Sequence, residues 1–284
     1  RTLFPYTTLF RSKPPTQLTS PASSEAATYE TKHAKTLADL TASLQSSLSF
    51  LAPFPSDPSP STPFKLLDYA CGPGTITKAL SEHCTRVIGI DVSPGMVAAY
   101  NSTASNQGLE EEEVFAYVGD LIDPNVGRPK QFEGKEFWEF DVAVVGLGFH
   151  HFEDVGLAAR RLGERLKKGG VLVVLDFLPH EGIGEHGHGG HGHGHGHGHG
   201  HGGHGHGHGE KEAGDKDAEE KKEEAKVAET VMHMGFSKEA VQKLFEQAGV
   251  GLDFGYKVLG KGVVIGPEEK RMKREVFIAR GTKA

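Results

Sequence analysis

The segment Asp68–Gly74, which reads DYACGPG, has residue types suited to a turn that receives an anionic ligand group. Gly72 and Gly74 lack a Cβ, so the backbone can turn sharply there and approach a ligand. A helix is predicted to begin at Thr75, and its first N–H groups carry about half a positive charge. Such a turn also occurs simply to pack a helix on a strand. Thr77 occupies the place of a third glycine, which disfavours a NAD site.

Two further carboxylates follow the next two apolar runs. Asp91 ends the run VIGID, where an acidic side chain accepts hydrogen bonds from both hydroxyls of a ribose. Asp91 could alternatively cap the next helix, but Ser93 suits that role better. Asp120 follows the third run, in YVGDLID. Because parallel strands end at one edge of a sheet, Asp68, Asp91 and Asp120 are predicted to surround a single crevice.

These residues require strands and helices in alternation. Five apolar runs predict parallel strands, namely Lys65–Ala70, Arg86–Ile90, Val114–Val118, Asp141–Val145 and Val171–Asp176. Helical periodicity marks Thr75–His83, Pro94–Gln107, Glu153–Lys168 and Ser237–Ala248. The strand–helix–strand order implies right-handed crossovers and a doubly wound sheet. Leu252–Leu259 and Glu275–Arg280, joined by the loop GKGVVIGPEE, are predicted to close the sheet edge as a hairpin.

Together these motifs resemble the class I S-adenosylmethionine-dependent methyltransferases, especially the small-molecule branch of the ubiquinone and menaquinone biosynthesis type. DYACGPG resembles the family's first motif, IGIDVSPGMV the second and YVGDLID the third. FDVAVVGLGFHHFED and LKKGGVLVVLDF resemble the fourth strand, the following helix and the fifth strand. The resemblance implies an α/β, Rossmann-like doubly wound sheet of seven strands, mostly parallel with an antiparallel last strand. It also implies S-adenosyl-L-methionine as cofactor and methyl transfer to a small-molecule acceptor.

The resemblance further implies which residues hold the cofactor. Contacts with its methionyl part are expected from Asp68, Ala70, Gly72, Gly74, Gly146 and Leu147, and contacts with its ribose and adenine from Asp91, Val92, Ser93, Met96, Asp120 and Leu121. In this pattern Asp91 binds the ribose. Asp120 accepts from the adenine amino group, helped by the backbone N–H of Leu121.

Two histidines are candidates for a catalytic base. His150 and His151 follow the fourth predicted strand, at the rim of the same crevice. An imidazole with an ordinary pKa of about 6.5 can take a proton from an acceptor hydroxyl or an acidic carbon. The alternative is that one or both histidines cap the next helix or pack on the loop.

An insertion over residues 182–226 interrupts the pattern. It consists of a His-Gly repeat followed by a run of mixed charges, and neither part can bury apolar surface, so both are expected to be disordered. Imidazoles in the repeat could bind Ni²⁺, Zn²⁺ or Cu²⁺ weakly and without selectivity, for example at His186, His188, His191, His193 and His195. A repeat expansion in a tolerated loop is the favoured interpretation. A metal-binding protein on a methyltransferase-like scaffold, and a protein or nucleic-acid methyltransferase, remain alternatives.

Composition limits the remaining functions. Residues 2–12 resemble a translated sequencing adapter, so residues 1–24 are set apart from a methyltransferase domain predicted over 25–181 and 227–284. No apolar run approaches the roughly 18 residues that would span a bilayer. The net charge of −7 argues against general attraction to nucleic acid, and we expect none as a partner. Two cysteines suggest a reducing compartment, and the cytoplasm is expected.

Overall fold

The computed structural model of the protein describes residues 34–179, 231–265 and 272–284. The predicted adapter-like segment 1–24 and the insertion 182–226, with its five candidate metal-binding histidines, lie outside these residues. Within the described ranges no helix is long and apolar enough to cross a membrane. The same ranges contain no group of three or more His, Cys, Asp or Glu side chains that could hold a metal ion.

The described chain forms one sheet of seven strands. In chain order they are β1 (Lys65–Tyr69), β2 (Arg86–Asp91), β3 (Val114–Val118), β4 (Phe140–Gly146), β5 (Leu166–Phe177), β6 (Leu252–Ile265) and β7 (Met272–Thr282). Their order across the sheet is β3-β2-β1-β4-β5-β7-β6. Strands β1 to β5 pair in parallel, and β7 lies antiparallel between β5 and β6. The predicted Rossmann-like sheet with an antiparallel last strand is confirmed.

Helices cover both faces of this sheet. They are α1 (34–45), α2 (Leu48–Leu51), α3 (Thr75–Leu80), α4 (Pro94–Asn106), α5 (Val155–Arg165) and α6 (Lys238–Gln247). One buried cluster joins alternate strand residues such as Val144 to Leu44 of α1 and Ile76 of α3. The other joins residues of opposite parity, such as Val145, to Leu162 of α5 and Phe245 of α6. A strand buried on both faces needs apolar residues throughout, which explains the unbroken runs in the sequence.

The structure corrects the predicted boundaries most around α5 and β6. The helix predicted over Glu153–Lys168 is shorter, because the Asp154 side chain caps it by accepting from the N–H of Leu157 at 2.7 Å, and the backbone becomes extended at Leu166. β5 therefore begins at Leu166, before a register shift opposite Phe140. The loop predicted after Leu259 is also shorter, because pairing with β7 continues β6 to Ile265.

Candidate functional site

A cleft of about 990 Å³ lies at the carboxyl ends of β1, β2 and β4. That position is where the strand order reverses, since β1 leads to β2 and β3 on one side and β4 and β5 follow on the other. Nine of the predicted site residues line the cleft, namely Ala70, Gly72, Asp91, Val92, Met96, Asp120, Gly146, Leu147 and His151. Ligand clefts commonly hold about 300–1,000 Å³, so this one is large for a single small molecule.

The turn after β1 has the backbone that its glycines predict. Gly72 has a φ of 51° and Gly74 a φ of 97°, in the left-handed region that a Cβ disfavours. A Cβ on Gly72 would have no protein atom within 4 Å, so open space adjoins its Cα. Gly74 does not line the cleft. It lies at the start of α3, where a Cβ would come within 3.0 Å of the Tyr100 ring.

Asp68 lies beneath this turn and not in the cleft. It is fully buried, and its Oδ2 accepts from the hydroxyl of Thr77 at 2.7 Å and from the Thr77 N–H at 3.2 Å. Tyr100 Oη lies 2.7 Å from the same hydroxyl, which extends the network to α4. Burial raises the pKa of Asp68 to about 7, although both hydrogen bonds from Thr77 act to lower it. Asp68 therefore supports the turn from below, and Thr77, at the place of the missing third glycine, is its main partner.

Asp91 is the acidic residue at the end of β2, and it does line the cleft. Its Oδ2 accepts from the N–H of Gly72 at 2.8 Å, and its Oδ1 accepts from the N–H of Ser93 at 2.9 Å. Ser93 does not line the cleft, because its Oγ caps α4 by accepting from the N–H of Met96 at 3.3 Å. Ser93 is thus the cap of α4, as its place before Pro94 predicts, and not a residue of the cleft wall. Each Asp91 oxygen keeps a lone pair for a further donor.

Asp120 lines the cleft beside β1. Its Oδ1 accepts from Tyr69 Oη and from the N–H of Ile122, each at 2.7 Å. The Leu121 N–H, expected to help bind adenine, instead donates to Tyr69 Oη at 3.2 Å, and the Leu121 side chain is buried. Leu121 therefore does not face the cleft, and Ile122 lines it in its place.

The turn after β4 approaches the turn after β1 closely. Leu147 and Ala70 both have left-handed backbones, with φ of 56° and 54°, although neither is a glycine. A Cβ on Gly148 would come within 2.9 Å of the Ala70 Cβ, and one on Gly146 within 2.5 Å of Ile76 Cδ1. The close packing here thus requires residues without a side chain at Gly146 and Gly148. Non-glycine residues with left-handed backbones, such as Leu147 and Ala70, cluster at functional sites.

His150 and His151 differ in position although they are neighbours. His150 is buried and does not line the cleft: its Nδ1 lies 2.8 Å from Asp176 Oδ1, and its N–H donates to Asp176 Oδ2 at 3.0 Å. The expectation that His150 lies at the cleft rim is therefore wrong, because Asp176 at the end of β5 holds it inside. His151 lines the cleft, with its ring centroid 4.1 Å from that of His150.

Several site residues had no motif to identify them. Leu37 and Leu40 of α1 line the cleft, as do Phe152, Val155 and Leu175. For Leu37 and Leu40 the available signal was their helical spacing, which predicts only a buried face.

Cys71 also lines the cleft. Burial raises the pKa of its thiol well above the ordinary value, which fits a packing role and opposes nucleophilic chemistry.

The comparisons with known proteins agree with this geometry. Residues 67–172 match a family model described as a methyltransferase domain. An uncharacterized methyltransferase of Schizosaccharomyces pombe is 34% identical over 113 residues, which cover 40% of this chain and 38% of that protein. A demethylmenaquinone methyltransferase of Thermus thermophilus is 32% identical over 119 residues, covering 41% of this chain and 49% of that protein. The matches thus span less than half the length of each relative.

A solved structure confirms the fold over most of the chain. An S-adenosylmethionine-dependent methyltransferase from Thermotoga maritima superposes with a TM-score of 0.51 at 17% identity. The superposition covers 93% of this chain and 98% of that one. The family model matches the part of the chain that forms the glycine turn and the strands around it, whereas the structural likeness extends well beyond it.

Proposed function

We propose that this chain, which carries a class I S-adenosylmethionine-dependent methyltransferase domain, transfers the cofactor's methyl group to a small-molecule acceptor. The observation that supports the proposal most directly is the meeting of the Gly72 turn, Asp91 and Asp120 in one cleft. The demethylmenaquinone methyltransferase match agrees with a small acceptor.

The residues of this cleft fit the cofactor. Asp91 accepts hydrogen bonds from the ribose hydroxyls, using the lone pairs left beside its bonds to Gly72 and Ser93. Val92 and Met96, which line the cleft, would pack beside the adenine, and the carboxylate of Asp120 would accept from its amino group. The open space at Gly72 and the first turn of α3 receive the methionyl part.

The bound cofactor supplies a methyl group made electrophilic by its sulfonium sulfur. The protein holds the acceptor in line with that methyl group, and orientation of this kind is worth about 7–11 kcal/mol of a barrier. His151, on the cleft wall, takes the proton that an acceptor hydroxyl or acidic carbon loses as its new bond to carbon forms. Bound S-adenosylmethionine would supply the methyl group by exchanging its carbon–sulfur bond for the acceptor's new bond, so that S-adenosylhomocysteine would be the product to leave. His150 and Asp176 position His151 through the short turn that contains both histidines.

A small acceptor is favoured over nucleic acid by the cations near α5. Arg161 donates to the carbonyl oxygens of Leu121 and Val126, at 3.0 and 2.7 Å. Arg165 is buried and donates to the carbonyl oxygens of Phe132 and Phe137. These guanidinium groups bind the protein's own backbone and are not directed to phosphates.

For the place of action we infer the cytoplasm, since Cys71 and Cys84 are both free thiols.

The test is calorimetric titration of metal-stripped protein with S-adenosylmethionine. We expect one site per chain with micromolar affinity. Replacement Asp91→Ala should weaken binding by about 100-fold or more, because it removes the ribose acceptor and frees the Gly72 turn. Asp57→Ala, at an exposed position away from the cleft, is the matched control and should bind normally. Unchanged affinity of the Asp91 variant would overturn the site. Failure of the wild-type protein to bind, with normal Ni²⁺ or Zn²⁺ uptake, would favour the metal-binding alternative.

A further inference from the structure

The order of the strands divides the cleft into two sides. The cofactor-holding carboxylates Asp91 and Asp120 follow β2 and β3, which lie on one side of β1. The turn containing Leu147 and His151 follows β4, on the opposite side of β1. The volume beyond the Gly72 turn, toward β4 and β5, is therefore the place left for an acceptor. We call it the acceptor side.

The acceptor side has an apolar wall. Its lining side chains come from three separate parts of the chain, and they are Leu37 and Leu40 of α1, Leu147 and Phe152 of the turn after β4, and Leu175 of β5. Leu40 and Leu175 are nearly fully buried, with 4% and 1% of their surfaces exposed. An occupant of this side therefore exchanges water for hydrocarbon over much of its surface, which stabilises an apolar molecule by about 25 cal/mol per Å² buried.

The acidic and basic side chains at the cleft are unequal in number among the described residues. None of the described lining residues is a lysine or an arginine, whereas Glu153 and Asp154 stand at the acceptor side together with His151. Asp154 caps α5 and Glu153 is exposed, and neither forms an ion pair with a basic side chain within the described parts of the chain. An anionic group placed here would lose its hydration, find no lysine or arginine among the described lining residues and face two carboxylates. Burial of an unpaired charge costs several kcal/mol.

We propose that the acceptor side selects an uncharged, mainly apolar acceptor and rejects acceptors that carry a carboxylate, sulfonate or phosphate group. The inference rests on the proposed methyl transfer in one respect, because that function assigns the other side of the cleft to the cofactor. Charge and apolar contact act together, since the same wall that stabilises a neutral ring offers an anion no lysine or arginine among its described residues. The reacting group of the acceptor lies toward His151, the titratable imidazole on this side.

The test uses two fluorescent probes of one skeleton. N-phenyl-1-naphthylamine is neutral, and 8-anilinonaphthalene-1-sulfonate adds a sulfonate to the same rings. Both are titrated into the full chain saturated with S-adenosylhomocysteine, so that the cofactor side is filled. We expect the neutral probe to bind at one site per chain at least about tenfold more tightly than the sulfonate, because the anion finds no basic partner. Equal or tighter binding of the sulfonate, or no binding of the neutral probe, would overturn the proposal.

A pair of α1 variants connects the selectivity to the wall. Leu37→Arg places a cation on the acceptor side, and we expect it to tighten the sulfonate and weaken the neutral probe by about fivefold or more each. Ala42→Arg adds the same charge to an exposed position of the same helix that does not line the cleft, and both affinities should stay within about twofold. Equal responses of the two variants would show that the probes bind elsewhere and would contradict the proposal.

Titration of S-adenosylhomocysteine alone separates the two proposals. If it binds wild-type protein but the sulfonate probe is not disfavoured, the acceptor class is wrong and the methyltransferase function stands. If it does not bind, the proposed function fails, and with it the assignment of the two sides. Both Arg variants must retain S-adenosylhomocysteine affinity, and that measurement also shows that they are folded.

Discussion

Asp68 shows how one buried carboxylate can link the site to pH. Its Oδ1 has no hydrogen-bond partner among the described residues, and its Oδ2 depends on Thr77. Desolvation is the main cause that raises its pKa from 3.8 to about 7, with the charge of Asp91 adding to it. The folded protein thus binds a proton at this site at pH values where the unfolded chain has already released it.

The sign of the resulting pH dependence follows from this difference. Between about pH 4 and pH 7 the native state holds more protons at Asp68 than the unfolded state, so the free energy of unfolding falls as the pH rises through this window. The shift corresponds to a loss of about 4 kcal/mol across the window, taking 1.36 kcal/mol per pKa unit.

Asp68→Asn should remove this dependence, because an amide does not titrate. We expect wild-type protein to lose about 3 kcal/mol relative to the variant between pH 5 and pH 8, measured by urea unfolding at both pH values. Asp57→Asn, at an exposed position, serves as the control and should keep the wild-type slope. Parallel slopes for wild type and Asp68→Asn would contradict the prediction.

At the scale of elements, packing of α3 on β4 controls the shape of the cleft. Gly146 ends β4 where Ile76 of α3 packs against its Cα, and both residues line the cleft. Beside this contact the turn after β4 approaches the turn after β1, where a Cβ on Gly148 would lie 2.9 Å from the Ala70 Cβ. A side chain added at this point would push α3 and the glycine turn away from the sheet.

Gly146→Ala tests this packing. The new Cβ would lie 2.5 Å from Ile76 Cδ1, and we expect the free energy of unfolding to fall by about 1–3 kcal/mol and cofactor affinity to fall about tenfold. Gly127→Ala is the matched control, since a Cβ there meets no atom within 4 Å. Urea unfolding and calorimetric titration measure the two effects. A variant as stable as the control, with wild-type affinity, would show that Ile76 can move aside.

The elements also show that sequence patterns identify strands better than they identify where helices and strands end. The five apolar runs identified β1 to β5, because a strand covered on both faces has few polar positions to confuse the pattern, and the hairpin pattern identified β6 and β7. The ends were less accurate. α5 ends at Arg165 although the helical pattern continues to Lys168, and Leu166 then pairs with Phe140 of β4. A helix end of this kind is decided by the neighbouring strand and not by local propensity.

At the scale of the whole molecule, the fold brings the two described ends around the insertion close together. Leu178, just after β5, donates to the carbonyl of Glu275 at 3.0 Å, and Phe236 donates to the carbonyl of Phe177 at 2.9 Å. Met232 and His233 both donate to the carbonyl of His150. The backbone on each side of the insertion is thus fixed by the domain itself, so the length of the connection matters little to the fold.

Deletion of residues 182–209 should therefore leave the site intact. We expect S-adenosylmethionine affinity to stay within about twofold, and the free energy of unfolding to change by no more than about 1–2 kcal/mol, because loop-closure entropy varies only logarithmically with length. Ni²⁺ binding should be lost with the histidines. Titration of the deletion variant with each ligand measures both. A large loss of cofactor affinity would give the His-Gly repeat a role in the proposed cofactor site.

The sequence by itself determined the doubly wound sheet, the glycine turn and the two carboxylates that face the cleft. These features depend on local patterns, namely unbroken apolar strands and polar residues placed directly after them. Tertiary structure alone decided that Asp68 lies beneath the turn, that Ile122 faces the cleft where Leu121 does not, and that His151 lines it while His150 is buried. The last choice depends on Asp176, which follows His150 by 26 residues. Contacts between residues so distant in the chain leave no local pattern.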